Sequence, residues 1–87
     1  MHRALLLTIG LITAACNGLT QSPQCQKFMA CSQAIDAMRA AGYQSSYGPS
    51  GTCWSTDQRS ADDCTKVCEQ ATQILAATSG RDKAECQ

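Results

Sequence analysis

The stretch PQCQKFMACSQAIDAM, residues 23–38, sets the reading of the fold. Cys25, Phe28, Cys31, Ile35 and Met38 recur at intervals of three and four, which at about 100° per residue places them on one stripe about 140° wide. Gln26, Lys27, Gln33 and Asp36 fall elsewhere on the wheel. Ser22 can accept from orphan amides at the helix start, Pro23 suits the first helical position, and Gly42 offers a left-handed stop. A second helical stripe follows in ADDCTKVCEQATQIL, residues 61–75, where Cys64, Val67, Cys68, Ala71, Ile74 and Leu75 share a face. Ser60 is the expected cap, Asp62 and Asp63 suit the positive end of the helix dipole, and Gly80 closes the segment ahead of Arg81 and Lys83. In both helices the cysteines face the same side as the largest apolar residues. They therefore belong in the interface between the helices.

Between the helices runs YQSSYGPSGTCWSTDQR, residues 43–59, a long connection rich in Ser, Gly and Thr. Tyr43, Tyr47 and Trp54 can pin it to the helices, and Cys53 can staple it. The expected fold is all-α: a small disulfide-stapled antiparallel helical hairpin with a long inter-helix loop. Antiparallel packing sets Cys31 against Cys68, leaves Cys25 for Cys86 in the tail, and leaves Cys53 for Cys64. That nested set, 25–86, 31–68 and 53–64, is preferred among the fifteen pairings open to six cysteines, although 25–68 with 31–64 is also antiparallel.

Length and composition bound the rest. The 87 residues make one small domain, and one Phe, one Trp and two Tyr give it a thin core. Seven Lys plus Arg balance seven Asp plus Glu, so there is no electrostatic footprint for nucleic acid. Seven cysteines in so short a chain mark a disulfide scaffold folded outside a reducing cytosol.

The amino terminus agrees with export. Arg3 supplies a positive start, Ala4 to Thr13 an apolar run too short to span a bilayer, and Ala14 and Ala15 the small residues of a cleavage site. The segment ITAAC, Ile12 to Cys16, resembles the lipobox of bacterial lipoprotein precursors, with Thr13 where Leu is most usual. The resemblance implies that a diacylglycerol is joined to the Cys16 thiol, that signal peptidase II cuts before it, and that the new amino terminus is acylated. It divides the chain into a signal peptide (1–15), a lipidated tether (16–22) and a cysteine-rich domain (23–87). Asn17, where Asp would signal retention, implies the outer membrane rather than the inner. Cysteine arithmetic points the same way, since Cys25, Cys31, Cys53, Cys64, Cys68 and Cys86 can pair completely once Cys16 is set aside. Ordinary secretory cleavage is the rival, and would leave Cys16 a free thiol.

The mature part, through CQKFMAC, YGPSGTCW, ADDCTKVCEQA and the trailing AEC, is similar to small uncharacterised cysteine-rich lipoproteins of myxobacteria. That resemblance implies an address and no activity. Other chemistry finds little footing. Cys25, Cys31, Cys64 and Cys68 could ligate zinc, but an oxidising compartment favours disulfides, and no Cys-x-x-Cys is present. The one histidine, His2, lies in the segment to be removed, so no catalytic residue and no cofactor beyond the lipid on Cys16 is expected. The remaining candidates for recognition are Tyr47 and Trp54, either as anchors for an envelope protein or, for Trp54, as a cover over the disulfide. The expected role is a non-catalytic interaction or structural lipoprotein, held to the membrane by its lipid anchor. The alternative is a tethered enzyme inhibitor acting through the loop Tyr47 to Trp54.

Overall fold

A computed structural model describes residues 19–87 of the chain; Cys16 and the expected leader 1–15 lie outside the described residues. Three helices follow one another: α1 (Pro23–Ile35), α2 (Ala37–Tyr47) and α3 (Gln58–Ala77). Single 3-10 turns lie at Thr52–Trp54 and Ala84–Cys86, and there is no strand among the described residues. The all-α class thus holds, with one helix more than the two-helix reading.

α1 begins where the sequence places it. The Ser22 hydroxyl accepts from the Cys25 amide at 3.3 Å, and Pro23 occupies the first turn. The helix does not continue to Gly42. At Asp36 the backbone turns extended (φ −155°, ψ 99°), and the carboxylate accepts from the amides of Met38 and Arg39 at 3.1 and 3.2 Å. A short acidic side chain competes well for backbone amides at such a place, so Asp36 ends one helix and caps the next. Gly42 is consequently an interior residue of α2, and Met38, placed by the sequence on the buried stripe, is 87% exposed.

The corner sends α2 back along α1. Phe28 meets Tyr43 at 5.1 Å and Tyr47 at 5.6 Å between ring centroids, while the Gln21 side chain donates to the Tyr47 carbonyl at 2.8 Å. The antiparallel pair in this protein is therefore α1 with α2. α3 then runs in the same direction as α1: Cys25 bonds to Cys68, Phe28 shares a groove with Ala71, and Ser32 borders a recess with Leu75 and Ser79. The extra reversal at Asp36 is what overturns the expected hairpin, with helix ends near 24 and 41 packed against ends near 78 and 61.

The same reversal corrects two of the three bridges. The disulfides are Cys25–Cys68, Cys31–Cys86 and Cys53–Cys64, so 53–64 stands while 25–86 and 31–68 do not form. Because α3 is parallel to α1, its carboxyl end arrives beside the second half of α1. The tail leaving it, turned by the Gly80 amide on the Leu75 carbonyl at 2.7 Å, reaches Cys31 rather than Cys25. Cys25 and Cys31 stand about 120° apart around α1, which lets each face a different partner.

α3 is capped by Asp57 and not by Ser60. The Asp57 carboxylate accepts from the Ser60 amide at 2.9 Å, and this bond holds its pKa below the ordinary carboxylate value. Helix α3 thus starts earlier and α2 ends later than expected, which shortens the connection to residues 48–57. Cys53 fastens that connection to α3, and Trp54 packs with Cys25, Phe28, Met29, Cys53, Ala61 and Cys68 in the core.

Two glycines test this layout in opposite directions. A β-carbon on Gly42 meets nothing within 4 Å, so Gly42→Ala removes backbone freedom from a helix interior and should stabilise by about 0.5–1 kcal/mol. A β-carbon on Gly51 would strike the Ser46 carbonyl and the Tyr47 amide, backbone atoms that cannot step aside. Gly51→Ala should therefore destabilise by about 1–3 kcal/mol. Thermal melts of the two variants should move to opposite sides of the parent.

Candidate functional site

The two loop residues singled out for recognition part company in the structure. Trp54 is 4% exposed and its indole N–H donates to the Gly48 carbonyl at 2.8 Å. The ring thus lies inside the domain, as a cover over the core rather than on its surface. Tyr47 is half-buried, with its ring edge-on to Phe28 and, at 6.3 Å, to Tyr43. It looks onto a different feature, a groove that no reading of the loop suggested.

That groove opens between α2 and α3, two helices held apart by α1. Phe28 floors it, and Tyr43 and Tyr47 form the α2 wall. Val67, Ala71, Ile74 and Leu75 form the α3 wall, enclosing about 300 Å³. The sequence pattern assigns Val67 and Ile74 to a buried stripe; they are 45% and 64% exposed. The reason is geometric. Cys68, Thr72 and, in part, Leu75 turn inward, which leaves the flank carrying Val67 and Ile74 without a neighbour. An apolar flank left wet beside three aromatic rings is the kind of surface that marks a binding groove.

A smaller recess of about 40 Å³ adjoins it, sharing Tyr43 and Leu75 and bordered further by Ser32, Ile35, Asp36, Arg39 and Ser79. A third hollow, of about 390 Å³, lies on the other side of α3. Gln24, Lys27, Glu69 and Gln73 give it a polar lining, and the Lys27 ammonium donates to the Gln87 carbonyl there at 2.7 Å.

All six cysteines among the described residues are oxidised in pairs, so their sulfurs serve as crosslinks rather than as ligands or nucleophiles. Asp62 and Asp63 are exposed on α3, and Asp62 accepts from the Gln58 side chain at 2.9 Å, a helix-surface contact. Cys16 and its expected modification lie outside the described residues. The described part of the tether is docked: Leu19 packs against the core, and Gln21 is bonded to Tyr47 at one end of α2. The chain thus enters the domain at the Tyr47 end of the groove.

Compared with models of known families, with curated proteins and with solved structures, the chain matches none.

The interior place of Trp54 has a measurable consequence. Trp54→Ala should lose about 3–5 kcal/mol, the range for truncating a buried aromatic ring. Trp54→Phe should lose less but still destabilise, since it removes the indole bond to the Gly48 carbonyl, which keeps only the Gly51 amide, and leaves part of the ring's volume empty. Denaturant unfolding of both variants checks the order.

Proposed function

We propose that the chain is an exported precursor whose mature form, beginning at Cys16, is a lipid-anchored, disulfide-stapled domain of the cell envelope, at the outer membrane. Its role is binding or structural rather than catalytic. The observation that supports this best is the complete pairing of Cys25, Cys31, Cys53, Cys64, Cys68 and Cys86, which leaves Cys16 as the one cysteine without a place in the scaffold. Three disulfides belong to an oxidising compartment. The leader pattern that ends at Cys16 supplies both a route there and a use for the seventh thiol. Two or more acyl chains hold a protein stably at a bilayer where one holds it only marginally, so a diacylated and amino-acylated Cys16 would be a durable tether.

Binding rather than chemistry is favoured by what the surface offers. The mature chain carries no imidazole, its paired carboxylates Asp62 and Asp63 lie exposed on a helix surface, and the groove between α2 and α3 is apolar. The inhibitor reading of the loop Tyr47 to Trp54 loses its anchor to the core, because Trp54 faces inward.

Expression of the whole chain in a bacterium with lipoprotein processing tests the proposal. The parent should partition into detergent, and its intact mass should correspond to a chain starting at Cys16 with acyl additions. Cys16→Ser should move the protein to the aqueous phase with its fold unchanged. A parent protein that keeps Met1, or that carries an unmodified Cys16, would overturn the proposal.

A further inference from the structure

The apolar groove leads into a polar end. Tyr43 and Leu75 line both the groove and the recess beyond it, so groove and recess adjoin along α1, a channel in two parts. Ser32 borders the recess at 4% exposure, and its hydroxyl has no hydrogen-bond partner. A helical hydroxyl commonly bonds the carbonyl one turn back. Thr65, Thr72 and Thr78 all do so in this protein, at 2.9, 2.7 and 2.7 Å. Ser32 departs from that habit at the place where the channel ends.

Two charged groups stand at the same end. Arg39 is exposed, borders the recess and makes no ion pair among the described residues. The Asp36 carboxylate is engaged by the amides of Met38 and Arg39, which offset part of its charge. From Val67 to Leu75 the α3 wall of the groove runs about 12 Å, at about 1.5 Å per residue, and Ser79 lies in the turn beyond the helix. The whole is a narrow apolar slot with a hydroxyl and a guanidinium at one end.

We propose that this channel binds a single-chain amphiphile with an anionic head, a free fatty acid. The hydrocarbon lies over Phe28, between Tyr43 and Tyr47 on one side and Val67, Ala71 and Ile74 on the other. The carboxylate accepts from the Ser32 hydroxyl and pairs with Arg39, which must outweigh Asp36 for an anion to settle there. A water molecule in the recess would satisfy Ser32 but would leave the Val67 and Ile74 flank wet, whereas an amphiphile answers both. The inference rests on the reading of the domain as a non-catalytic binder and does not depend on lipid at Cys16.

The test titrates the purified full chain, disulfides intact, with carboxyl-labelled laurate below its micelle concentration and follows the carboxyl resonance by NMR. One-to-one saturable binding is expected. Ala71→Phe, which fills the slot, should abolish it; Val67→Lys, at a half-exposed position, does the same work should the first variant fail to fold. Arg39→Gln should weaken laurate about tenfold or more while changing binding of the uncharged lauryl alcohol less than about twofold. Absence of saturable binding, or binding indifferent to both slot variants, would overturn the site. An equal effect of Arg39→Gln on acid and alcohol would overturn the placement of the head. The intact mass of the same sample reports the state of Cys16, so a failure of the anchor is seen separately from a failure of the groove.

Discussion

The structure hangs on the bridge between Cys25 and Cys68. Both residues are wholly buried, their α-carbons are 5.0 Å apart, and the Cys25 sulfur lies 3.4 Å from the Cys64 carbonyl oxygen. The bond fixes the first turn of α1 against the middle of α3 and so fixes the register of two parallel helices. From that register the rest follows in order along the chain. Phe28 comes to lie under Ala71 and Leu75, the end of α3 arrives beside Cys31, and α2 is left on the far side with a groove between it and α3. A core with so few large side chains gains little from burial alone, whereas each disulfide contributes about 2–4 kcal/mol by restricting the unfolded chain.

Much of this is written in local sequence, and one residue explains most of what is not. The start of α1 at Ser22 and Pro23, the helical repeat of the cysteines and the closing of Cys53 on Cys64 follow from capping, periodicity and proximity along the chain. Asp36 lies off the apolar stripe and passes for a solvent-facing helix residue, because Ile35 and Met38 carry the period straight through it. Its other property, an acceptor ready for the amides of Met38 and Arg39, is the signal that could have marked a helix boundary. Taking the stripe over the cap makes two helices out of three. One missing reversal then flips the direction of α3 and exchanges the partners of Cys25 and Cys31. Met29 and Ser32, buried on α1, escape notice for a related reason: α1 is central and is covered over more than one stripe.

The groove was hidden from sequence because three separate helices build it. Its one local trace is the breadth of the apolar face on α3, where Val67 and Ile74 extend beyond what contact with a single helix can cover. Trp54 illustrates the converse. A tryptophan in a Gly-rich loop is a fair candidate for an exposed anchor, but a Gly48 carbonyl within reach of its indole N–H draws the ring inward. The exposed apolar face in this fold is thus set by helix packing, while the loop closes the core beside Tyr47.

The disulfide map tests the account most directly, because parallel and antiparallel placements of α3 predict different partners for the same cysteines. Trypsin cuts after Lys27, Arg39, Arg59, Lys66, Arg81 and Lys83, which puts each of the six paired cysteines in a peptide of its own. Mass spectrometry of the unreduced digest should find the Cys25 peptide joined to that of Cys68, Cys31 to Cys86, and Cys53 to Cys64. Peptides joining Cys31 to Cys68 and Cys25 to Cys86, or cysteines found as free thiols, would contradict the three-helix fold and the groove that depends on it.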